Sequence, residues 1–173
     1  MKIFISERTT MAFRELRELL EGEGARYIIL GRNAEAPRAS YLIRTPMCNL
    51  GIISSEFGGS QPIAAQLTGE KLLVCYDALY SVLSTSEIES ISRDLEGVFY
   101  QLLDSFVEDG YIIVHEIGLK KIDLEGQEAW SISTEIIESV DVNRDGRIIV
   151  KLNENTRTIE IDARTGEGVS RTD

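Results

Sequence analysis

The sequence YIIVHEIGLKKIDLEGQEAW at positions 111–130 decides the fold of this chain, together with the similar runs that follow it up to Ile161. Short runs rich in valine, isoleucine and aromatic residues alternate with turns that carry glycine or aspartate, about every eight to twelve residues. Strands of this length joined by tight turns are typical of antiparallel sheets. We therefore predict a β-rich region over 62–169, followed by a disordered tail at 170–173.

The first thirty residues predict a β-α-β element. Residues 2–6 and 26–31 have the short apolar pattern of strands, and the apolar residues between Met11 and Glu21 recur at helical spacing. We predict an N-terminal α+β element over 1–57, with one compact domain for the whole chain as the alternative. The fold class we predict is α+β and mainly β, built from antiparallel sheets.

The segment 98–106 allows two interpretations. Its five apolar residues recur at helical spacing and predict a short helix. The residue types Val-Phe-Tyr at its start are prone to form strands, so a strand is the alternative.

Charge limits the partners that this chain can have. Its 173 residues include 29 acidic and 18 basic ones, a formal net charge of −11. A field of this sign repels nucleic-acid phosphates and anionic lipid. We therefore expect a protein partner that is basic or carries a basic patch, and neither nucleic acid nor a membrane; a homo-oligomer stays open.

The two cysteines, Cys48 and Cys75, lie among apolar residues and form no CxxC pair. The start of the chain has no secretory signal pattern, and no stretch is long and apolar enough to predict a membrane span. We therefore expect a cytoplasmic protein with both thiols reduced.

Two segments of the C-terminal region align with each other. KIDLEGQE at 121–128 and EIDARTGE at 160–167 share an apolar residue before aspartate, a short turn with glycine and a final acid. The two aspartates, Asp123 and Asp162, are 39 residues apart, which is within the range of propeller blades. A shorter echo, VCYD, ends at Asp77.

These segments resemble the quinoprotein-type (PQQ-like) β-propeller repeat over about residues 111–169. The residues that match the repeat are Gly118, Ile122, Asp123, Gly126 and Trp130 in one copy, and Ile161, Asp162, Thr165 and Gly166 in the other. A closed propeller needs about four to eight blades of some forty residues, and this chain has room for two or three. The resemblance therefore implies an incomplete propeller or a sandwich, and it implies no cofactor.

Two candidate sites have simpler explanations. The sequence DVNRDG at 141–146 matches the start of a calcium loop, but Val150 and Leu152 stand where the later acidic ligands belong. We interpret it as a hairpin turn. His115 is the single histidine, and it could pair with Cys75 as base and nucleophile only if the fold brought the two together.

Three functions remain, in this order. The first is a non-enzymatic binding protein, with an immunity-type inhibitor of a basic toxin or nuclease as a concrete subclass. The second is a small hydrolase that uses carboxylates or the pair Cys75 and His115, and the third is a subunit that completes an open sheet in a larger assembly. The acidic residues that we predict to form the binding face are Glu116, Asp123, Glu125, Glu128 and Asp145.

Overall fold

The computed structural model describes residues 2–31, 39–54, 60–87, 89–104, 109–143, 145–153 and 157–172, with side chains as far as Val169. Contacts between residues divide the chain into an N-terminal unit, residues 1–98, and a C-terminal unit, residues 99–173. The loop-like segment at 56–62, between the two predicted regions, lies partly outside the described residues. The predicted division into 1–57 and 62–169 stays a prediction.

The described residues form strands and one helix. In chain order these are β1 (Ile3–Ile5), β2 (Glu7–Thr9), α1 (Phe13–Gly22), β3 (Tyr27–Gly31), β4 (Ala39–Arg44), β5 (Asn49–Ser54), β6 (Ile63–Gln66), β7 (Lys71–Tyr76), β8 (Leu79–Ser84), β9 (Glu89–Asp94), β10 (Phe99–Asp104), β11 (Gly110–His115), β12 (Gly118–Asp123), β13 (Glu128–Ser133), β14 (Ile137–Val142), β15 (Arg147–Leu152), β16 (Arg157–Asp162) and β17 (Gly168–Thr172). No helix among the described residues is long and apolar enough to cross a membrane.

The N-terminal unit contains two sheets that pack face to face. One sheet has the order β1-β6-β7-β8-β9 and is antiparallel throughout. The other has the order β2-β4-β5-β3, in which β3 and β5 are parallel. A single apolar cluster joins the sheets, because it includes Leu30 and Ile52 from the mixed sheet and Val74 and Leu83 from the antiparallel one.

Helix α1 covers the other face of the mixed sheet. Leu16 and Leu20 are wholly buried and contact β5 at Gly51, where an added Cβ would lie 2.9 Å from a methyl carbon of Leu16. The first turn is held by Glu15, whose carboxylate accepts the backbone N–H of Ala12 at 2.8 Å. The predicted β-α-β element is therefore present, although its second strand pairs with β5 rather than with the first strand.

The C-terminal unit contains two antiparallel sheets of four consecutive strands, β10 to β13 and β14 to β17. Side chains from both sheets share one apolar cluster, with Val114 and Leu119 from the first and Ile148 and Ile161 from the second. The prediction of a mainly β fold with antiparallel sheets is confirmed.

The helix that we predicted at 98–106 was wrong, and the strand interpretation holds for Phe99–Asp104. The register of β10 against β11 shifts between Phe99 and Gln101. Such a bulge resets the alternation of sides, so that Phe99 and Leu102 are both buried at a spacing that imitates a helix. Residues 105–108 lie outside the described ranges.

The end of the chain also differs from expectation. We expected a disordered tail at 170–173, but residues 168–172 form β17 and pair with β16 in antiparallel register from Gly168 to Thr172. The backbone of this segment forms hydrogen bonds with the edge of the sheet, and these bonds hold it in place. Its side chains are mostly polar, so the sequence alone does not show this pairing.

Candidate functional site

The two aligned segments occupy equivalent turns. Asp123 Oδ1 accepts the backbone N–H groups of Glu125 at 2.9 Å and Gln127 at 2.8 Å. Asp162 Oδ1 accepts those of Arg164 at 2.9 Å and Thr165 at 3.1 Å. Each turn joins the third strand of its sheet to the fourth, so the sequence repeat corresponds to one structural position in two sheets.

The hydrogen bonds of Asp123 and Asp162 explain why each of these turns begins with an aspartate. An aspartate side chain that bonds to backbone N–H groups two to four residues ahead fixes a turn that the backbone alone would leave open. The N–H groups of Thr165 and Arg164 also lower the pKa of the Asp162 carboxyl below its usual range. The echo at Asp77 lies in the turn between β7 and β8, the third and fourth strands of the five-stranded sheet, and its carboxylate accepts a hydrogen bond from the hydroxyl of Ser54.

Four of the five predicted acidic residues lie at one end of the C-terminal unit. Asp123, Glu125 and Glu128 flank the β12–β13 turn, and Asp145 lies in the β14–β15 turn. Both turns are on the side where the β16–β17 turn places Gly166 against the ring of Trp130. We call this region the acidic end; its exposed acids are Glu125, Glu128, Asp145 and Glu167.

The fifth predicted residue, Glu116, lies at the opposite end. It occupies the β11–β12 turn, where its carbonyl accepts the N–H of Ile137 at 2.8 Å. Glu116 precedes β12, whose six residues end at Asp123, so the length of the strand separates the two by roughly 20 Å at about 3.3 Å per residue. The predicted set therefore does not form one face.

Positive groups reduce part of this charge. Glu128 lies 3.4 Å from Lys120 Nζ, which also donates to Ser131 Oγ at 3.1 Å. Arg147 lies 4.0 Å from both Glu160 and Asp162. Glu125 and Asp145 are exposed, whereas Asp123 is half-buried and Glu128 lies beside Lys120.

The negative charge of the chain is concentrated in the C-terminal unit. Residues 99–173 contain 16 acidic and 8 basic side chains, a formal charge of −8 out of the −11 of the whole chain. The remaining formal charge of −3 belongs to residues 1–98, the N-terminal unit. The negative electrostatic field of the chain is therefore strongest around the C-terminal unit.

The calcium-like segment folds as a hairpin turn. Asn143 Oδ1 accepts the N–H groups of Asp145 and Arg147, each at 2.9 Å, which uses the amide oxygen that a calcium ion would need. Among the described residues, no group of three His, Cys, Asp or Glu side chains is placed to hold a metal ion.

Cys75 and His115 lie in different units. Cys75 is wholly buried in β7, and its burial raises the pKa of its thiol, which disfavours the thiolate that a nucleophile needs. His115 is 2% exposed at the end of β11, with its ring against Gly118. Burial of both groups is unfavourable for the hydrolase hypothesis.

A cleft in the N-terminal unit was not expected from the sequence. It has a volume of about 380 Å³ and lies between β3, the β7–β8 turn and the edge strand β9. The polar side chains that line it include Asp77, Ser90, Ser92 and Asp94. The VCYD pattern pointed to Asp77 as a turn residue, but nothing in the sequence connects it to β9.

Comparisons with known proteins give no family for this chain. No protein-family model matches it, and no curated protein matches its sequence. Similar backbones occur in apo AztD from Citrobacter koseri, at a TM-score of 0.43 and 10% identity, over 84% of this chain and 45% of that one. A protein of unknown function from Bacteroides caccae gives 0.40 and 11%, over 86% of this chain and 60% of that one.

One chain of the S. cerevisiae structure of Dbp5 bound to Nup159, Gle1, IP6 and ADP is also similar. The TM-score is 0.45 at 13% identity, over 99% of this chain and 50% of that one. This chain thus spans between 45% and 60% of the length of these three matches. With TM-scores below 0.5, they carry no argument about function.

Proposed function

We propose that the chain is a non-enzymatic binding protein and that the acidic end of residues 99–173 receives a basic protein partner. The observation that carries this proposal is the charge of −8 on the C-terminal unit, combined with exposed acids on adjacent turns. Charge of one sign on one part of a surface accelerates encounter with an oppositely charged partner and excludes partners of like charge.

The rigidity of the turns supports the same function. Asp123 and Asp162 hold their turns through two backbone hydrogen bonds each, so the backbone that carries Glu125 and Glu167 is ordered. Ordering a surface before binding reduces the entropy that association costs. An immunity-type inhibitor of a basic toxin or nuclease is the concrete subclass that this chemistry suits.

A matched pair of variants tests the proposal. The first variant carries Glu125→Gln, Asp145→Asn and Glu167→Gln, which neutralise exposed acids of the acidic end. It leaves Asp123 and Glu128 in place, because these two stabilise the turn and the buried Lys120. The second carries Glu18→Gln, Glu70→Gln and Glu87→Gln, which remove the same charge from exposed positions of the N-terminal unit.

Each protein is immobilised and exposed to a lysate of its own source cell, and the retained proteins are eluted with increasing salt and quantified. We expect wild type and the second variant to retain the same basic protein, released between low and moderate salt. The first variant should retain at least about tenfold less, because several charge pairs are lost together. Equal retention by both variants would contradict the proposal.

The immunity-type subclass has its own test. If it is correct, the product of a gene adjacent to that of this chain is a basic toxin, and coexpression of the two relieves its toxicity. Coexpression with the first variant should relieve it less than coexpression with the second. Relatives whose neighbouring genes encode no toxin would remove this subclass and leave the broader proposal intact.

A second candidate function is supported by apolar side chains on sheet edges. Ile5 on the edge strand β1 is 73% exposed, and Val169 on the edge strand β17 is 62% exposed. Such edges can pair with another strand, so a larger assembly could complete a sheet there. Light scattering of wild type and of Ile5→Lys tests this: a monomer at micromolar concentration in both would count against it.

A further inference from the structure

The cleft of the N-terminal unit has features of a binding site. Its volume of about 380 Å³ lies within the range of roughly 300–1,000 Å³ that is typical of small-molecule sites. Ile29, Leu30 and Leu79 contribute apolar surface to its lining. The lining is about equally polar and apolar, which suits a small ligand that has a charged end and a short carbon chain.

One of the two carboxylates in the cleft is buried and held in place. Asp77 is 9% exposed, and the hydroxyl of Ser54 donates a hydrogen bond to its Oδ1. Ser54 belongs to β5, so this bond joins the two sheets of the unit. Each carboxylate oxygen can accept more than one hydrogen bond, so Asp77 can bond to a ligand in addition to its partners within the protein.

The backbone of Asp77 is also unusual. Its φ of 49° lies in the left-handed region, which residues other than glycine rarely adopt. Aspartate and asparagine are the side chains that tolerate this conformation best. Asp77 and Ala78 form the two-residue turn between β7 and β8, where a positive φ is favoured, so the turn fixes the position of the Asp77 backbone at the cleft.

The other polar groups of the cleft come from one face of β9. Ser90, Ser92 and Asp94 line it, whereas the alternate residues of the strand do not. Arg93 lies on the other face, where its guanidinium is 3.5 Å from the hydroxyl of Tyr80. The described lining therefore contains two carboxylates and no Lys, Arg or His side chain.

We infer that this cleft binds a small organic cation of the amine or guanidine class. Asp77 and Asp94 accept hydrogen bonds from its charged end, the serine hydroxyls accept further N–H groups, and the apolar walls contact its carbon chain. Ionised carboxylates accept hydrogen bonds and donate none, and they repel an anionic ligand. A neutral diol can donate to them, but its hydrogen bonds are weaker than those of a cation. The site lies within residues 1–98 and does not depend on the acidic end.

Titrations of the full chain with agmatine and 1,4-diaminobutane test the inference, with 1,4-butanediol as the neutral probe of similar length. The readout is the backbone amide shifts of Gly31, Ala78 and Ser92 at the cleft, compared with Gly126 in the C-terminal unit. We expect the two cations to shift the cleft amides to saturation and to leave Gly126 unmoved. The diol should produce no saturable shift.

Three variants give the decisive comparison. Asp94→Asn and Asp77→Asn should each weaken binding of agmatine about tenfold, as expected for one charge-assisted hydrogen bond. Glu89→Gln is the matched control, since it removes the same charge from the opposite face of β9, and binding should change by less than about twofold. Asparagine tolerates the left-handed φ at position 77, so Asp77→Asn is expected to fold. If it does not fold, Asp94→Asn tests the inference alone, because the side chain of Asp94 is exposed.

Several results would overturn the inference. These are saturation by the diol at the same concentrations, equal effects of Asp94→Asn and Glu89→Gln, or shifts at Gly126 as large as those at the cleft. A Gly-Arg-Gly peptide that shifts the cleft amides when agmatine does not would assign the site to a partner's side chain and exclude a free small molecule. None of these outcomes affects the test of the acidic end.

Discussion

Replacing Asp109 by alanine should destabilise the C-terminal unit strongly, because it removes the partner of a buried lysine. Lys121 Nζ lies 2.7 Å from Asp109 Oδ2, and the lysine side chain is only 3% exposed. Its neighbours across the strands are Ile112 and Trp130, both part of the apolar cluster of this unit. The ammonium therefore has little access to water if the carboxylate is removed.

The exposure of the carboxylate sets the magnitude. Breaking a fully buried ion pair costs about 3–5 kcal/mol. The side chain of Asp109 is 44% exposed, so water already weakens this pair, and we expect Asp109→Ala to lower the free energy of unfolding by about 2–3 kcal/mol. Lys121→Met removes the charge as well as the pair, and it should change stability by less than about 1 kcal/mol.

Urea denaturation, monitored by the fluorescence of Trp130, measures the change in free energy of unfolding of the unit that contains Lys121 and Asp109. The chain contains a single tryptophan, and it lies directly across from Lys121. In the Lys121→Met background, Asp109→Ala should cost less than about 0.5 kcal/mol, because no buried charge remains to be stranded. A loss of the same size in both backgrounds would refute the reasoning.

Three further predictions concern the packing, the thiols and one carboxyl group. Gly51→Ala should lower the free energy of unfolding in urea by about 1–3 kcal/mol, because the added Cβ would lie 2.9 Å from Leu16. The control Gly22→Ala should not destabilise the chain, since no atom lies within 4 Å of its Cβ. Equal effects of the two substitutions would argue against the packing of helix α1 at Gly51. Burial raises the pKa of the thiols of Cys48 and Cys75, so a thiol-specific disulfide reagent at neutral pH should react with both only as the protein unfolds, and rapid labelling of the native chain would contradict that burial. The pKa of Asp162 is lowered in the folded chain, so its stabilising contribution is complete above the unfolded value of about 3.9 and is lost as the pH falls through the lower folded value. The stability gap between wild type and Asp162→Asn at pH 7 should therefore close below about pH 4, and a gap that stays constant down to pH 2 would exclude this contribution.

Local patterns in the sequence predicted the strands and turns well where each signal was short-ranged. The alternation over 111–161 and the aspartates that begin two turns predicted β11 to β16, and the repeat placed Asp123 and Asp162 in equivalent turns. The bulge between Phe99 and Gln101 has no local signature, and it made a strand resemble a helix. The pairing of β17 likewise depends on its neighbour β16.

The candidate sites were predictable only in part, because the sequence shows which residues share a turn but not which turns and strands come together in the fold. Asp123, Glu125 and Glu128 share one turn, so their proximity follows from the sequence. Asp145 joins them through the packing of two sheets, and Glu116 is separated from them by the length of a strand. The cleft could not be predicted, because β3, the turn at Asp77 and β9 meet only when two sheets pack together.

The dependence on salt of the association rate with the captured basic partner tests the central claim most directly. For wild type, we expect the rate constant to fall steeply as salt rises from about 0.02 to 0.5 M, because electrostatic steering is screened. The variant with Glu125→Gln, Asp145→Asn and Glu167→Gln should associate about tenfold more slowly at low salt and with a weaker dependence on salt. A rate constant that is the same for wild type and this variant at every salt concentration would contradict the account.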